Sequence, residues 1–143
     1  QRAGVPAEAI ELEITEGVLM TGHAYLDRAL EALNELGVGI AMDDFGTGYS
    51  SLSYLRKYPF NVLKIDRSFV SDISVDPADR ELVNAAILMA HGMGLRVIAE
   101  GVETVEQLDY LREKGCEFAQ GYYFSKPVTA EEFSELLKIG TVF

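Results

Sequence analysis

Cysteine and long apolar runs are scarce in this chain of 143 residues. The one cysteine, Cys116, excludes an internal disulfide and is typical of a reducing compartment. The longest apolar stretches, such as residues 85–90, are far shorter than the roughly 20 residues that a membrane-spanning helix needs. We therefore expect no direct membrane contact from this chain.

Basic residues are also few, with 12 lysines and arginines against 23 aspartates and glutamates. The resulting net charge of −11 opposes general binding to nucleic acid polymers, so an anionic substrate would need a local cation. Hydrophobic residues make up 48% of the chain, which is typical of a globular protein and not of an acidic disordered tail. The length predicts a single domain over residues 1–143.

Strand and helix patterns alternate along the chain. Apolar or alternating segments predict strands at 10–15, 38–42, 62–65, 95–99 and 117–120. Helical spacing or capping signals predict helices at 21–36, at 52–57, after Asp76-Pro77, after Thr104 with Gln107, and after Thr129 with Glu132. Gly37, Gly94 and Gly115 suit the left-handed residue that ends a helix. Repeated βα units predict an α/β fold with a parallel sheet.

Polar residues concentrate at the carboxyl ends of these predicted strands, where parallel α/β sheets bind ligands. The set comprises Glu13, Asp43, Asp44, Lys64, Asp66, Glu100 and Gln120. Lys64 could neutralise one carboxylate, but the acidic residues outnumber it. This excess favours a hard divalent cation bound through oxygen ligands over a purely structural ion-pair network. The lack of a His/Cys cluster argues against structural zinc.

Two further segments each allow two interpretations. The glycine-rich segment 45–51 could present backbone N–H groups to a phosphate, but an ordinary tight loop explains it equally simply. The aromatic run Tyr122, Tyr123 and Phe124 could stack on a base or pack at the rim of the sheet.

Five motifs in order along the chain give it a strong resemblance to one family. They are LEIT-E (12–16), DDFGTGYSSL (43–52), LKID (63–66), AEGVE (99–103) and QGYYFSKP (120–127). Together they resemble the EAL-domain family of bacterial cyclic di-GMP phosphodiesterases. The resemblance implies a TIM-type (β/α) barrel that hydrolyses cyclic di-GMP to the linear dinucleotide with Mg²⁺ or Mn²⁺.

Roles for individual residues follow from that resemblance alone. It implies that Glu13, Asp43 and Asp44 are metal ligands, that Glu100 is a general base or a ligand of a second ion, and that Lys64 contacts the attacking water. It implies that Gln120, Glu103 and Asp66 contact the substrate or support those ligands. It also makes Glu16 and the loop residues Phe45, Gly46, Thr47 and Gly48 part of a loop that shapes the site.

A complete barrel takes about 250 residues, whereas about five βα units are present here. We therefore expect an incomplete barrel, the carboxyl-terminal portion of the domain. The strand that carries the family's Glu-Ala-Leu motif with its following Arg, and a metal-binding Asn, should lie upstream of Gln1. Exposed strand edges predict a homodimer or other self-association, or an altered packing. Sensory or GGDEF-type domains are possible partners in a parent protein. The family's intracellular messenger, together with the single cysteine, implies a cytoplasmic location, and a parent protein could still be attached to a membrane.

Three other functions stay open on the sequence. With upstream ligands missing, this chain alone would be inactive, and could be a regulatory module that binds cyclic di-GMP or metal without turnover. A structural adaptor could use the segment after Asp44 only for dimerisation. A response-regulator receiver with a flavodoxin-like sheet would share the acidic pair and Lys126-Pro127, but has no well-placed phosphoacceptor.

Overall fold

The computed structural model describes residues 4–20, 24–46 and 52–139. These ranges contain five strands, β1 (Glu11–Thr15), β2 (Gly39–Phe45), β3 (Val62–Ile65), β4 (Arg96–Glu100) and β5 (Phe118–Gln120). The helices of the described residues are α1 (Glu16–Leu19), α2 (Ala24–Glu35), α3 (Leu52–Lys57), α4 (Arg67–Val70), α5 (Pro77–Gly92), α6 (Val105–Glu113) and α7 (Ala130–Ile139). A 3₁₀ turn covers Ala7–Ala9.

The strands form one parallel sheet in the order β1-β2-β3-β4-β5. Each strand therefore lies beside its neighbour in sequence, as in a (β/α) barrel. Within the described residues the sheet is not closed, because β1 and β5 each pair with a single neighbour. A flavodoxin-like sheet has the order 2-1-3-4-5. The receiver interpretation is therefore wrong.

The hydrophobic core lies between one face of the sheet and the helices. Alternate strand residues supply it, because successive side chains of a strand point to opposite faces. The central ones are completely or almost completely buried: Ile40, Met42, Leu63, Ile65, Val97 and Ala99. On the other face, Phe118 is 45% exposed and the Arg96 guanidinium lies 5.5 Å from its ring centroid.

The predicted helix ends are confirmed where the structure describes them. Gly37, Gly94 and Gly115 all have positive φ, as expected for the residue that follows a helix. The Asp76 carboxylate accepts the backbone N–H of Ala78 at 2.7 Å and so caps α5. Thr104 with Gln107, and Thr129 with Glu132, form the two predicted capping boxes.

Some element boundaries differ from the predictions. The second strand was expected to end at Met42, but it continues through Asp43 and Asp44 to Phe45. Short helices α1 and α4 follow β1 and β3 directly. The helix predicted at 21–36 begins at Ala24 in the described part of the chain, and residues 21–23 lie outside it.

Helix α7 presents apolar side chains to solvent. Phe133 is 54% exposed and Leu137 is 67% exposed, so the described residues do not cover that side of the helix. Self-association of the chain remains a prediction. None of the helices described here is long and apolar enough to span a bilayer.

Candidate active site at the carboxyl edge of the sheet

The carboxyl edge, where the five strands end, brings the predicted polar residues together. Glu13 lies on β1, Asp43 on β2 and Lys64 on β3, whereas Glu100 and Gln120 are the last residues of β4 and β5. All five occupy alternate positions that point away from the helix-covered face. Their convergence is a direct result of parallel pairing.

The Lys64 ammonium is the centre of this cluster. Its Nζ lies 2.6 Å from Glu13 Oε1, 3.0 Å from Asp43 Oδ1 and 2.7 Å from Glu100 Oε1. The Lys64 side chain is only 4% exposed. Burial alone would lower the pKa of Lys64, but the three carboxylates hold that pKa above its ordinary value, so the group stays charged.

Glu100 shares its Oε1 between two donors. Gln120 Nε2 donates a hydrogen bond to it at 2.6 Å, and Lys64 Nζ lies on the same atom. Burial raises the pKa of Glu100 despite the opposing effect of Lys64, and the charges of Asp43 and Glu13 raise it further. Glu100 therefore holds a proton more readily than an ordinary carboxylate.

Asp43 and Asp44 are adjacent, and a β-bulge lets both lie near the site. The pairing of β2 with β3 shifts between Met42 and Phe45, and Asp44 has φ of 57°. A left-handed non-glycine residue of this kind is uncommon and is typical of functional sites. Burial raises the pKa of Asp44, and the neighbouring charges of Asp43 and Asp66 raise it further.

The loops after β3 and β4 carry the next two predicted residues. Asp66 caps α4 by accepting the backbone N–H of Ser68 at 2.9 Å, and bonds to Ser68 lower the pKa of Asp66. Glu103 forms an ion pair of 3.0 Å with Arg67.

Glu16 begins α1 and is buried, with 5% of its surface exposed. Among the described residues neither of its carboxylate oxygens has a hydrogen-bond partner, which is costly for a buried acid. Phe45 packs against the core, and Gly46 approaches Phe69 so closely that a Cβ would lie 2.8 Å from the ring. Thr47 and Gly48 lie outside the described residues.

A cleft of about 770 Å³ adjoins Gln120 between the β5 end and α7. Tyr122 lines it, is 54% exposed and lies 5.7 Å from Lys126 Nζ. Phe124 instead packs against the core, so the rim-packing interpretation holds for this aromatic residue.

The donor chemistry of the carboxyl edge fits a hard divalent cation. Three carboxylates face one ammonium, which leaves an excess of negative charge. Across the described ranges, however, no three Asp, Glu, His or Cys side chains are grouped as they would be to hold a metal ion. Lys64 occupies the point where the carboxylates converge.

Sequence reasoning missed three features of this edge. The bulge at Asp44 has only the repeated aspartate as a signal. The Arg67–Glu103 pair joins residues 36 positions apart and follows from no local pattern. Gln107 was predicted only as part of a helix cap, whereas its side chain also reaches a second loop.

The fold and the site define a protein of the (β/α)-barrel class with a cluster of acidic residues around one lysine at the carboxyl edge of its sheet. The family model described as "EAL domain" matches residues 1–127. The chain belongs to the EAL-domain family, and the expected barrel-type fold is confirmed.

Named relatives indicate what members of the family do. The chain is 49% identical over 138 residues to "Cyclic di-GMP phosphodiesterase NbdA" of Pseudomonas aeruginosa, covering 96% of this chain and 18% of NbdA. A solved structure of the EAL enzyme Bd1971 with cAMP and cyclic di-GMP bound has a TM-score of 0.92 and 44% identity, covering 95% of this chain and 36% of Bd1971. The chain thus spans less than a fifth of NbdA and about a third of Bd1971.

A metal ion accompanies the nucleotide in one structural relative. The manganese and cyclic di-GMP complex of Klebsiella pneumoniae BlrP1 has a TM-score of 0.82 and 34% identity, covering 88% of this chain and 32% of BlrP1. Metal binding together with cyclic di-GMP therefore occurs in the family.

The literal tripeptide Glu31-Ala32-Leu33 does occur in this chain, but it lies inside α2. It does not end a strand, and the residue that follows is Asn34 rather than Arg. It is therefore not the family's namesake strand motif.

Proposed function

We propose that this chain forms the carboxyl-terminal part of a metal-dependent cyclic di-GMP phosphodiesterase, which adds water across one phosphodiester bond to give the linear dinucleotide. The observation that carries the proposal is the convergence of Glu13, Asp43 and Glu100 on Lys64 at the carboxyl edge. Membership of the EAL-domain family supports the choice of substrate. A cytoplasmic location belongs to the same proposal, since the substrate is an intracellular messenger.

Glu13, Asp43 and Asp44 are the proposed ligands of Mg²⁺ or Mn²⁺, with Glu100 available to a second ion. Bound ions would neutralise phosphate charge and lower the pKa of the attacking water. They would also offset the excess of carboxylates, which otherwise opposes a dianionic nucleotide.

Lys64 and Glu100 have complementary roles in this proposal. The Lys64 ammonium remains charged, and once a bound ion takes over one of its three carboxylates it would have a donor for the attacking water or a phosphate oxygen. Glu100 accepts the proton of the water, and Gln120 orients that carboxylate through Oε1. Oε1 is the oxygen that Lys64 and Gln120 contact, so Oε2 is the proposed acceptor.

The remaining predicted residues support this machinery. We propose that Asp66 and Glu103 hold the two loops that flank the substrate. We also propose that the Glu16 carboxylate stabilises the loop that includes Phe45, Gly46, Thr47 and Gly48. The two oxygens of Glu16 that accept no hydrogen bond within the described residues support that role.

A binding module without turnover is the second candidate. The observation that favours it is the position of Lys64, whose ammonium pairs with three carboxylates and so stabilises the cluster without a divalent ion. The family's Glu-Ala-Leu strand motif and metal-binding Asn, which would complete the ligand set, are not among the motifs of this chain.

The discriminating experiment follows cyclic di-GMP binding and release of the linear dinucleotide with Mn²⁺ or Mg²⁺, for the chain and for Asp43→Asn. Phosphodiesterase activity predicts turnover that needs the ion and falls at least 100-fold in Asp43→Asn. Glu117→Gln, which changes a carboxylate at the opposite edge of the sheet, is the matched control and should keep full activity. Binding without product would favour the binding module, and neither binding nor product would contradict both functions for this chain.

A further inference from the structure

The Gln107 side-chain amide is buried and bonds to two separate loops. Its Oε1 accepts the backbone N–H groups of Glu103 at 2.7 Å and Thr104 at 3.0 Å. Its Nε2 donates to the backbone carbonyl of Ser71 at 3.0 Å. A capping box accounts for the bond to Thr104 but not for the bond to Ser71, which lies 36 residues away.

The two loops joined in this way both leave the site. Ser71 ends α4, which begins directly after the β3 segment that carries Lys64. Glu103 and Thr104 follow β4, which ends at Glu100. Lys64 Nζ lies 2.7 Å from Glu100 Oε1. A shift of one loop relative to the other is therefore expected to change this distance.

A second contact joins the same loops on the surface. Arg67 pairs with Glu103 at 3.0 Å, and its aliphatic stem lies over Gly101. A Cβ at Gly101 would clash with Arg67 Cγ, and Gly101 has φ of 72°, so glycine is required there. The surface ion pair is exposed and screened by water. The hydrogen bonds of the buried Gln107 amide are therefore the stronger of the two contacts between the loops.

We infer that Gln107 is a positioning residue, which holds the loops after β3 and β4 so that Lys64 and Glu100 keep their catalytic arrangement. The catalytic part of this inference rests on the proposed function. The positioning part concerns only contacts within this chain. Gln107 acts through Ser71 and Glu103 and touches none of the reacting groups.

The second capping box provides a matched control. At the start of α7 the Glu132 carboxylate accepts the N–H of Thr129 at 2.9 Å, which repeats the local half of the Gln107 arrangement. In the described part of the chain Glu132 is exposed and bonds only within that turn. Glu132→Ala therefore removes a capping side chain without removing a hydrogen bond between two loops.

The test replaces Gln107 by Glu, which keeps an acceptor for Glu103 and Thr104 but cannot donate to Ser71 when ionised. The first readout is the ¹⁵N signal of the Lys64 ammonium, which its three carboxylates should protect from exchange with water. We expect Gln107→Glu to broaden or shift this signal and to lower kcat about 10-fold with KM within 2-fold. Glu132→Ala should leave both unchanged.

An unchanged Lys64 signal and kcat in Gln107→Glu, with only a lower free energy of unfolding, would show a merely structural role and overturn the inference. If Gln107→Glu does not fold, Gln107→Asn replaces it, because its side chain is neutral and too short to reach Ser71. The Lys64 signal and kcat of this variant are compared with those of the unaltered chain by the same criteria. If the unaltered chain shows no turnover, phosphodiesterase activity of this chain by itself fails. The ammonium signal still decides the role of Gln107, since it does not depend on catalysis.

Discussion

The two edges of the sheet use polar residues in opposite ways. At the amino edge, where the strands begin, side chains complete the backbone: Asn61 Oδ1 accepts the N–H of Ile40 and Glu117 Oε2 accepts the N–H of Val97, each at 2.9 Å. At the carboxyl edge the carboxylates face one another around Lys64. Polar groups thus satisfy backbone groups at the first edge, whereas at the second edge three carboxylates share one cation and leave an excess of negative charge.

Removing Lys64 is expected to have the largest effect on the difference between the two edges. In Lys64→Met, the carboxylates of Glu13, Asp43 and Glu100 lose the cation that they share. We expect the free energy of unfolding in metal-free buffer to fall by about 3 kcal/mol, the low end for a broken buried pair, because Glu13 is half exposed. Urea denaturation measures the change.

The control for this loss is Lys57→Met, which breaks the exposed pair with Asp27 and should cost far less. Adding Mn²⁺ should restore part of the stability of Lys64→Met but not that of Lys57→Met. Equal losses in the two variants would mean that the carboxyl edge does not depend on its central cation.

A smaller effect is expected at the amino edge, in Asn61→Ala. The change leaves the Ile40 N–H without its acceptor and should lower the free energy of unfolding by about 1 kcal/mol. Asn61→Asp retains an acceptor oxygen and should recover most of the loss. Cyclic di-GMP binding should be the same in the unaltered chain and both variants when they are folded. Weaker binding in Asn61→Ala would show that the amino edge also contributes to binding.

The smallest effect concerns the charge of Glu117. Burial alone would raise its pKa, but the N–H groups of Val97 and Glu117 and the His91 imidazole, 3.0 Å away, hold that pKa below its ordinary 4.5. Ionised Glu117 therefore adds stability above pH 4.5, and this contribution is lost as the pH falls through the lower pKa of the folded state.

Glu117→Gln keeps the oxygen that accepts the Val97 N–H and removes only the charge. Its free energy of unfolding should lie below that of the unaltered chain by less than about 1 kcal/mol at neutral pH, and the two should converge in acid. Glu113→Gln, at an exposed position beside Lys114, is the surface control and should change the free energy of unfolding less at neutral pH. If the free energies of unfolding of Glu117→Gln and the unaltered chain change in parallel with pH, the charge of Glu117 does not stabilise the amino edge.

Much of the fold was predictable because its signals are local. Apolar alternation located the strands, and Thr104 with Gln107 and Thr129 with Glu132 marked helix starts through side chains three residues apart. The placement of Glu13, Asp43, Lys64, Glu100 and Gln120 at one edge followed from parallel pairing alone. The length of β2 was mispredicted, because the bulge at Asp44 depends on pairing with β3 rather than on β2 itself.

The sequence by itself determined the order of βα units, the family and the set of charged residues at the carboxyl edge, since each depends on periodicity, ordered motifs or chain order. Only the tertiary structure decided that Lys64 lies between three carboxylates, that Asp44 adopts a left-handed conformation and that Gln107 reaches Ser71. These features join residues 20 or more positions apart or depend on how two strands pair. No local pattern specifies such contacts, because side-chain direction and loop closure are set by packing across the whole sheet.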